Sequence, residues 1–306
     1  MLPMIRFAYV MAIRRAVSGW RLEAVLFGGI LLAVTLMASS VIFFDLLSNA
    51  SLRHELIQAS PEDTNLSIRS FSSQDEPSTP RGRRSVYQDR LEFMESKVAR
   101  PFGDFLTGES LVIDTATFYF AGHPHLELDN EVRPRGSIIY MSGFGPDRVS
   151  LIQGSWPSEE NAHAPIGTPL DVALDSLGFE LLGLQLGEVM DVFPAASFTD
   201  PPSMRVRISG VFERVDPDDE FWYETGSDFS LSNDRWTIIP LFTSEEAIVQ
   251  RVITEYPTLY TDMTWYYFLD REGLRSDDVD HLKNTIYQAE SDIRFGLKNS
   301  SFSIRL

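Results

Sequence analysis

AVLFGGILLAVTLMASSVIFF, from Ala24 to Phe44, runs for 21 residues without a charge. At about 1.5 Å of rise per residue, a helix of that length matches the hydrocarbon thickness of a bilayer. The stretch predicts one N-terminal transmembrane helix, residues 24–47. A cleavable signal peptide is the competing reading, but its apolar region is usually about 7–15 residues behind a shorter basic leader. The run therefore reads as an anchor that stays on the chain. Within it, Ala24 and Gly28, then Gly29 and Ala33, place small residues four apart, a spacing that lets helices approach closely.

Charge is distributed unevenly around this run. Before it, Arg6, Arg14, Arg15 and Arg21 stand against Glu23 alone, whereas Asp45, Glu55, Glu62 and Asp63 follow it with only Arg53 nearby as a cation. The positive-inside rule then puts residues 1–23 in the cytoplasm and everything beyond about Ser48 outside, in the plasma membrane of the cell. At 100° per residue Arg6, Arg14 and Arg21 share one side of a helix while Arg15 points elsewhere. With Phe7, Tyr9, Met11 and Trp20 interleaved, this basic amphipathic segment suits either the inner bilayer surface or a plain topology signal.

The chain as a whole carries a formal charge of −18, so its acidity lies beyond the anchor. A surface of that sign repels phosphates, which argues against nucleic acid as a partner. The absence of cysteine removes disulfides and thiolate chemistry together.

Residues 48–85 read as a juxtamembrane segment and linker, because Ser60 to Ser85 is rich in serine and holds Pro61, Pro77 and Pro80. Arg81, Arg83 and Arg84 fall there, either as a lipid or partner contact or as a solvated charge run. Residues 86–306 form the main domain. Tyr87, Leu91, Met94 and Val98 recur at helical spacing up to Pro101. Strands are predicted at Leu111 to Ala121, Leu126 to Leu128, Ser137 to Ser142, Val149 to Gln153 and Leu170 to Leu174. Further strands follow at Val189 to Phe193, Met204 to Phe212, Trp236 to Ile239 and Trp265 to Leu269. Helices are predicted at Ser176 to Leu182, capped by Gly183, at Ser244 to Thr254, and over the stripe Val279, Leu282, Ile286, Ala289, Ile293 with Ser276 as N-cap. The fold class is α+β: one transmembrane helix followed by a mixed α/β extracytoplasmic domain.

The chemistry-bearing motifs are few. GxxxxGK[ST], GxSxG and HExxH are all missing, which leaves no nucleotide cradle, nucleophile elbow or zinc helix and no enzymatic site, catalytic residue or cofactor to name. Gly143-Phe144-Gly145 reads as a turn, since the third glycine of a dinucleotide loop fails at Arg148. His123, His125, Glu127 and Asp129 alternate as metal ligands on one strand face would, and equally as an ordinary solvent face. Asp216, Asp218, Asp219 and Glu220 lack the ordered spacing of a calcium loop and read as a solvated acidic turn. Phe221, Trp222 and Tyr223, with Trp265, Tyr266, Tyr267 and Phe268, fit either a ligand groove or a strand core.

Several stations recur in a suggestive order. These are Ala12-Ile13-Arg14-Arg15-Ala16, Leu151-Ile152-Gln153-Gly154-Ser155-Trp156-Pro157, Asp171-Val172-Ala173-Leu174, Leu182-Gly183-Leu184-Gln185-Leu186-Gly187-Glu188 and Val206-Arg207-Ile208-Ser209-Gly210-Val211-Phe212. With the anchor before them, they resemble the FtsX/MacB-type ABC transporter permeases, whose exterior region is the MacB periplasmic core domain. Ser155 stands where that family usually has Arg, and Glu188 where it has Asp. The resemblance implies a permease that couples a separate cytoplasmic ABC ATPase subunit to transport or mechanical work outside. It also implies a homo- or heterodimer of permeases in the lipid bilayer, an extracytoplasmic protein partner, and further membrane helices after Leu306. A single-pass sensor or ligand-binding ectodomain is the alternative, and an anchored hydrolase the third reading.

Overall fold

The structure, a computed structural model, describes residues 2–72, 76–77, 79–121, 133–165, 167–194, 203–222, 229, 231–232, 236–256 and 259–303. The chain divides into two compact units, Met1–Ile57 with Arg275–Asp277, and Gln58–Leu274 with Asp278–Leu306.

The first unit is dominated by helix α1, Leu2–Gln58, which is unbroken over 57 residues. Its segment from Gly19 to Gln58 is long and apolar enough to cross a membrane, with mean hydropathy 2.3 in its most apolar window and none of that window buried against protein. Leu26, Phe27, Leu32, Leu36, Ile42 and Phe44 all stand exposed. Two of the three hydroxyls in the run, those of Thr35 and Ser40, are satisfied within the helix. Thr35 Oγ1 donates to the Leu31 and Leu32 carbonyls at 2.9 Å each, and Ser40 Oγ to the Met37 carbonyl at 2.8 Å. Internal satisfaction of this kind is what hydrocarbon requires, since it offers polar groups no partner.

The second unit opens with the short helix α2, Pro61–Thr64, and strand β1, Leu66–Phe71. The reading of 60–85 as a loop is corrected here. Leu66 and Ile68 are fully buried in β1, and buried Ser70 takes the third inward position where an apolar residue would have marked a strand. Helix α3, Pro80–Met94, also starts before the predicted Tyr87, because Thr79 caps it by accepting from the Gly82 N–H at 3.2 Å and Pro80 sits in its first turn. Pro101 does not end it. The helix widens into a π turn at Glu95–Ala99, where the Arg100 N–H reaches the Glu95 carbonyl, and runs on as α4, Arg100–Phe102.

The strands then follow as β2, Leu106–Thr115; β3, Phe118–Ala121; β4, Arg133–Met141; β5, Val149–Gly154; and β6, Leu170–Asp175. Leu111 to Ala121 is thus two strands, and they do not pair with each other. Helix α5, Ser176–Leu182, ends at Gly183 in the left-handed conformation, φ 60°. Strands β7, Val189–Pro194, β8, Met204–Arg214, β9, Leu231–Ser232, and β10, Trp236–Phe242, come next. Ser244 then caps α6, Glu245–Ala247, but the predicted helix to Thr254 is mostly a second π turn, Ile248–Ile253. After β11, Thr261–Leu269, comes α7, Val279–Gly296, whose N-cap is Asp278; Ser276 instead opens a preceding 3-10 turn. Strand β12, Ser300–Ser303, closes the order. The predicted strand at Leu126 to Leu128 lies outside the described residues.

These strands form one sheet in the order β12-β1-β11-β2-β4 that then closes on itself. Strands β4, β3, β7, β8, β6 and β10 pair in a ring, because β10 returns to lie parallel to β4, Trp236 opposite Arg133 through Phe242 opposite Ile139. The result is a six-stranded barrel. Strand β6 runs parallel to β8 and is buried at all six positions, so it shows no alternation. Phe118, Ile138, Val172, Val192, Ile208 and Ile239 are fully buried, as a small barrel filled by side chains requires. On the open part of the sheet, β11 alternates strictly, with Met263, Trp265 and Tyr267 buried and the residues between them half exposed. Buried Leu282, Ile286, Ala289 and Ile293 give α7 the apolar stripe its sequence predicts. The architecture is a mixed α/β unit preceded by one long N-terminal helix.

Candidate functional site

Strict alternation splits the second aromatic run. Trp265 and Tyr267 lie on the sheet face beneath α3, while Tyr266 and Phe268 face the other way. Phe268 stacks on Phe221, ring centroids 6.1 Å apart. Phe221 and Trp222 belong to a buried aromatic cluster with Phe212, Phe229 and Phe242, into which Phe144 inserts from the Gly143–Gly145 turn, stacked on Phe242 at 4.8 Å. Arg148 and Arg214 cap it, lying over Phe221 at 4.2 Å and Phe229 at 3.8 Å. The rings of this cluster, with Phe268 against it, are core rather than groove; Tyr223 lies outside the described residues.

The acidic turn is occupied with its own backbone. Asp216 Oδ1 accepts from the Asp218 N–H at 3.0 Å, Asp219 Oδ1 from the Phe221 N–H at 3.0 Å, and the Asp216 carbonyl from Trp222 Nε1 at 2.9 Å. Among the described residues no three His, Asp or Glu side chains gather to hold a metal ion. His123, His125, Glu127 and Asp129 lie outside those residues. The arginine run is neither a solvated face nor a lipid contact at Arg83. That side chain is buried on α3 and, together with buried Arg90, grips Glu76, each at 2.6 Å. Losing Glu76 would leave two cations in a poorly solvated place.

Beneath α3 lies a cavity of about 290 Å³, and sequence reading missed it. Trp265, Tyr267 and Leu111 come from the sheet, Leu91 and Met94 from α3, Glu95 from the first residue of its π turn, Glu109 and Ser110 from β2, Tyr140 from β4, Ser142 from just beyond it, and Glu245 from α6. The wall therefore carries three carboxylates and no cation. Glu245 is held by two phenols: Tyr87 Oη donates to it at 2.6 Å, and Tyr140 bonds it as well. Burial, and then the bond to Glu245, hold the Tyr87 phenol far above its ordinary pKa. Although the Glu109 side chain is partly open to solvent, burial and then the nearby Glu95 charge raise its pKa. Tyr267 is 1% exposed, and among the described residues its hydroxyl has no hydrogen-bond partner. Tyr267 lines the cavity, so its phenol meets water there, and burial, then the Glu109 and Glu95 charges of the same wall, hold it far above its ordinary pKa.

A second titrating group sits on the opposite sheet face. Asp114 of β2 lies across from Asp262 of β11, which pairs with Arg69 of β1. Burial, then the Asp262 charge, push the Asp114 pKa up to about 7 against the opposing pull of Arg69. An acid raised from 3.8 to about 7 on folding holds extra proton in the folded state between those values. Its contribution to stability is full below about pH 4 and is lost as pH rises through about 7. Asp114→Asn is expected to stabilise the protein by roughly 2–4 kcal/mol near pH 8 and by little near pH 4. Thermal melts of both proteins across that range check this; a pH-independent gain would rule out Asp114 as the titrating group.

The chain matches no protein-family model and no curated protein.

Proposed function

We propose that this chain is a permease-type subunit, anchored in the plasma membrane by α1 with its mixed α/β unit outside the cell, and driven by a separate cytoplasmic ABC ATPase. The observation that carries the reading is the continuity of α1 from Leu2 to Gln58, through the arginine-bearing start, the apolar run and ten residues beyond Ser48. An unbroken helix of about 85 Å is stiff enough to pass a displacement across a bilayer. The resembled stations lend support as scaffold positions: Gly183 caps α5, and Gly154 and Gly210 pack closely across the β5–β8 pair. In this reading the unit outside couples inner motion to a substrate or protein partner and does no covalent chemistry itself.

Topology reporters fused after Leu22 and after Ser48 are expected to report cytoplasm and exterior respectively. Affinity purification from native membranes should bring down an ATPase bearing GxxxxGK[ST]. Both reporters on one side would remove the anchor, and correct topology without an ATPase would shift the weight to an anchored ligand-binding ectodomain. The cavity beneath α3 is the observation that favours that second reading.

A further inference from the structure

The cavity beneath α3 joins two features that ordinary packing does not. Its wall carries Glu95, Glu109 and Glu245 without a lysine or arginine, and behind them lies an aromatic and aliphatic floor of Trp265, Tyr267, Met94 and Leu111. Into the same space opens the hydroxyl of Tyr267, buried to 99% as a residue and without a protein partner among the described residues. With no protein partner, that hydroxyl is left to water in the cavity, and a ligand that reproduces the bond can take the water's place. Tyr140, by contrast, is already engaged with Glu245, and Ser110 and Ser142 are spent on the backbone at 3.0 and 2.7 Å. Among the described residues the Tyr267 hydroxyl and the Trp265 indole N–H are therefore the wall's neutral hydrogen-bonding groups left open.

We propose that this cavity binds a small organic cation, a primary amine carried on an apolar or aromatic body. Carboxylates at the wall draw the ammonium group, and the faces of Trp265 and Tyr267 stabilise positive charge beside them. The apolar body displaces water from Met94, Leu91 and Leu111. At about 290 Å³ the space lies at the small end of ligand pockets, which suits one ring or a short chain. An anionic ligand would meet three carboxylates, and a wholly apolar one would leave Tyr267 unbonded. The inference concerns the ligand alone and does not depend on the permease reading.

The test uses the full chain in detergent and three probes of one shape: phenethylamine, 2-phenylethanol and phenylacetate, titrated by calorimetry. Phenethylamine is expected to bind saturably with Kd on the order of 1 mM, as its size allows. The neutral probe should be about tenfold weaker and the anion weaker still. Glu109→Gln, at an exposed position, should cost about tenfold in amine affinity, and Tyr267→Phe a few-fold without lowering the melting temperature of the free protein. Glu180→Gln on α5 controls for adsorption to an acidic surface and should change nothing. Equal binding of the amine and the alcohol would overturn the proposal. So would an amine affinity that Glu109→Gln leaves unchanged, or no saturation by phenethylamine up to about 20 mM.

Discussion

Gly154→Ala is expected to destabilise the second unit by roughly 3–5 kcal/mol, and Gly210→Val by at least as much. The two glycines face each other across the β5–β8 pair, where the register shifts between Leu151 and Gln153. Gly154 has φ +75°, a conformation that L side chains rarely adopt, and a Cβ there would stand 2.2 Å from the Ser209 carbonyl oxygen. A Cβ on Gly210 would stand 2.5 Å from the Ser155 carbonyl oxygen. In both cases the obstacle is backbone, which cannot rotate aside as a side chain can. Moving it would also break the Ser155 N–H bond to the Ser209 carbonyl, 2.8 Å, which holds the strand end to β8. Gly145 is the control, because nothing lies within 4 Å of its added Cβ and its φ is not positive. Urea unfolding followed by tryptophan fluorescence should show a lower midpoint for the first two variants and an unchanged one for Gly145→Ala. A wild-type midpoint for Gly154→Ala would mean that β5 and β8 do not pack this closely.

How much of this was legible depends on whether the signal was local. The α7 stripe, the Gly183 cap and the long apolar helix were readable because each is a periodic or terminal pattern within one segment. Strand β1 was not: its inward positions are Leu66, Ile68 and Ser70, and the proline-rich surroundings suggested a loop. Its place is fixed from outside, by pairing with β11 on one side and β12 on the other. The π turns were equally hidden, since a widened turn has the composition of an α-helix. The two aromatic runs could be seen but not assigned, because alternation sends Trp265 and Tyr267 to one face and Phe268 to the other. The cavity was invisible for a stronger reason. Glu95, Glu109, Tyr140, Glu245 and Tyr267 come from five elements and meet only through topology. Topology likewise joins Phe144, from a turn readable as mere glycine punctuation, to the ring of Phe242, nearly a hundred residues away in sequence.

Phe212→Ala is expected to cost about 3–5 kcal/mol, the second large effect, because Phe212 is fully buried and among the described residues its ring meets four others. Its centroid lies 5.0 Å from Phe144, 5.4 Å from Trp156, 5.8 Å from Phe229 and 5.2 Å from Phe242. Those rings belong to the turn after β4, the segment after β5, the loop before β9, and β10, so truncation opens a void where several elements converge. Collapse into the void is resisted, since Phe144 is stacked on Phe242 and Trp222 is tied by its indole N–H to the Asp216 carbonyl. Phe212→Leu keeps most of the volume and should lose roughly half as much. Phe295, 85% exposed on α7, supplies the contrast: Phe295→Ala should leave stability within about 0.5 kcal/mol of the parent. Trp156 is about one-third exposed and touches Phe212 directly, so its fluorescence should shift to longer wavelength in the alanine variant even before unfolding. Loss of stability without that shift would place the damage elsewhere in the barrel, whereas both together tie the cost to the ring cluster. Because Phe221 of the cluster stacks on Phe268 of β11, the same variant should also loosen the join between the barrel and the open sheet. Faster amide exchange in β11 near Phe268 than in β1 would register that loosening.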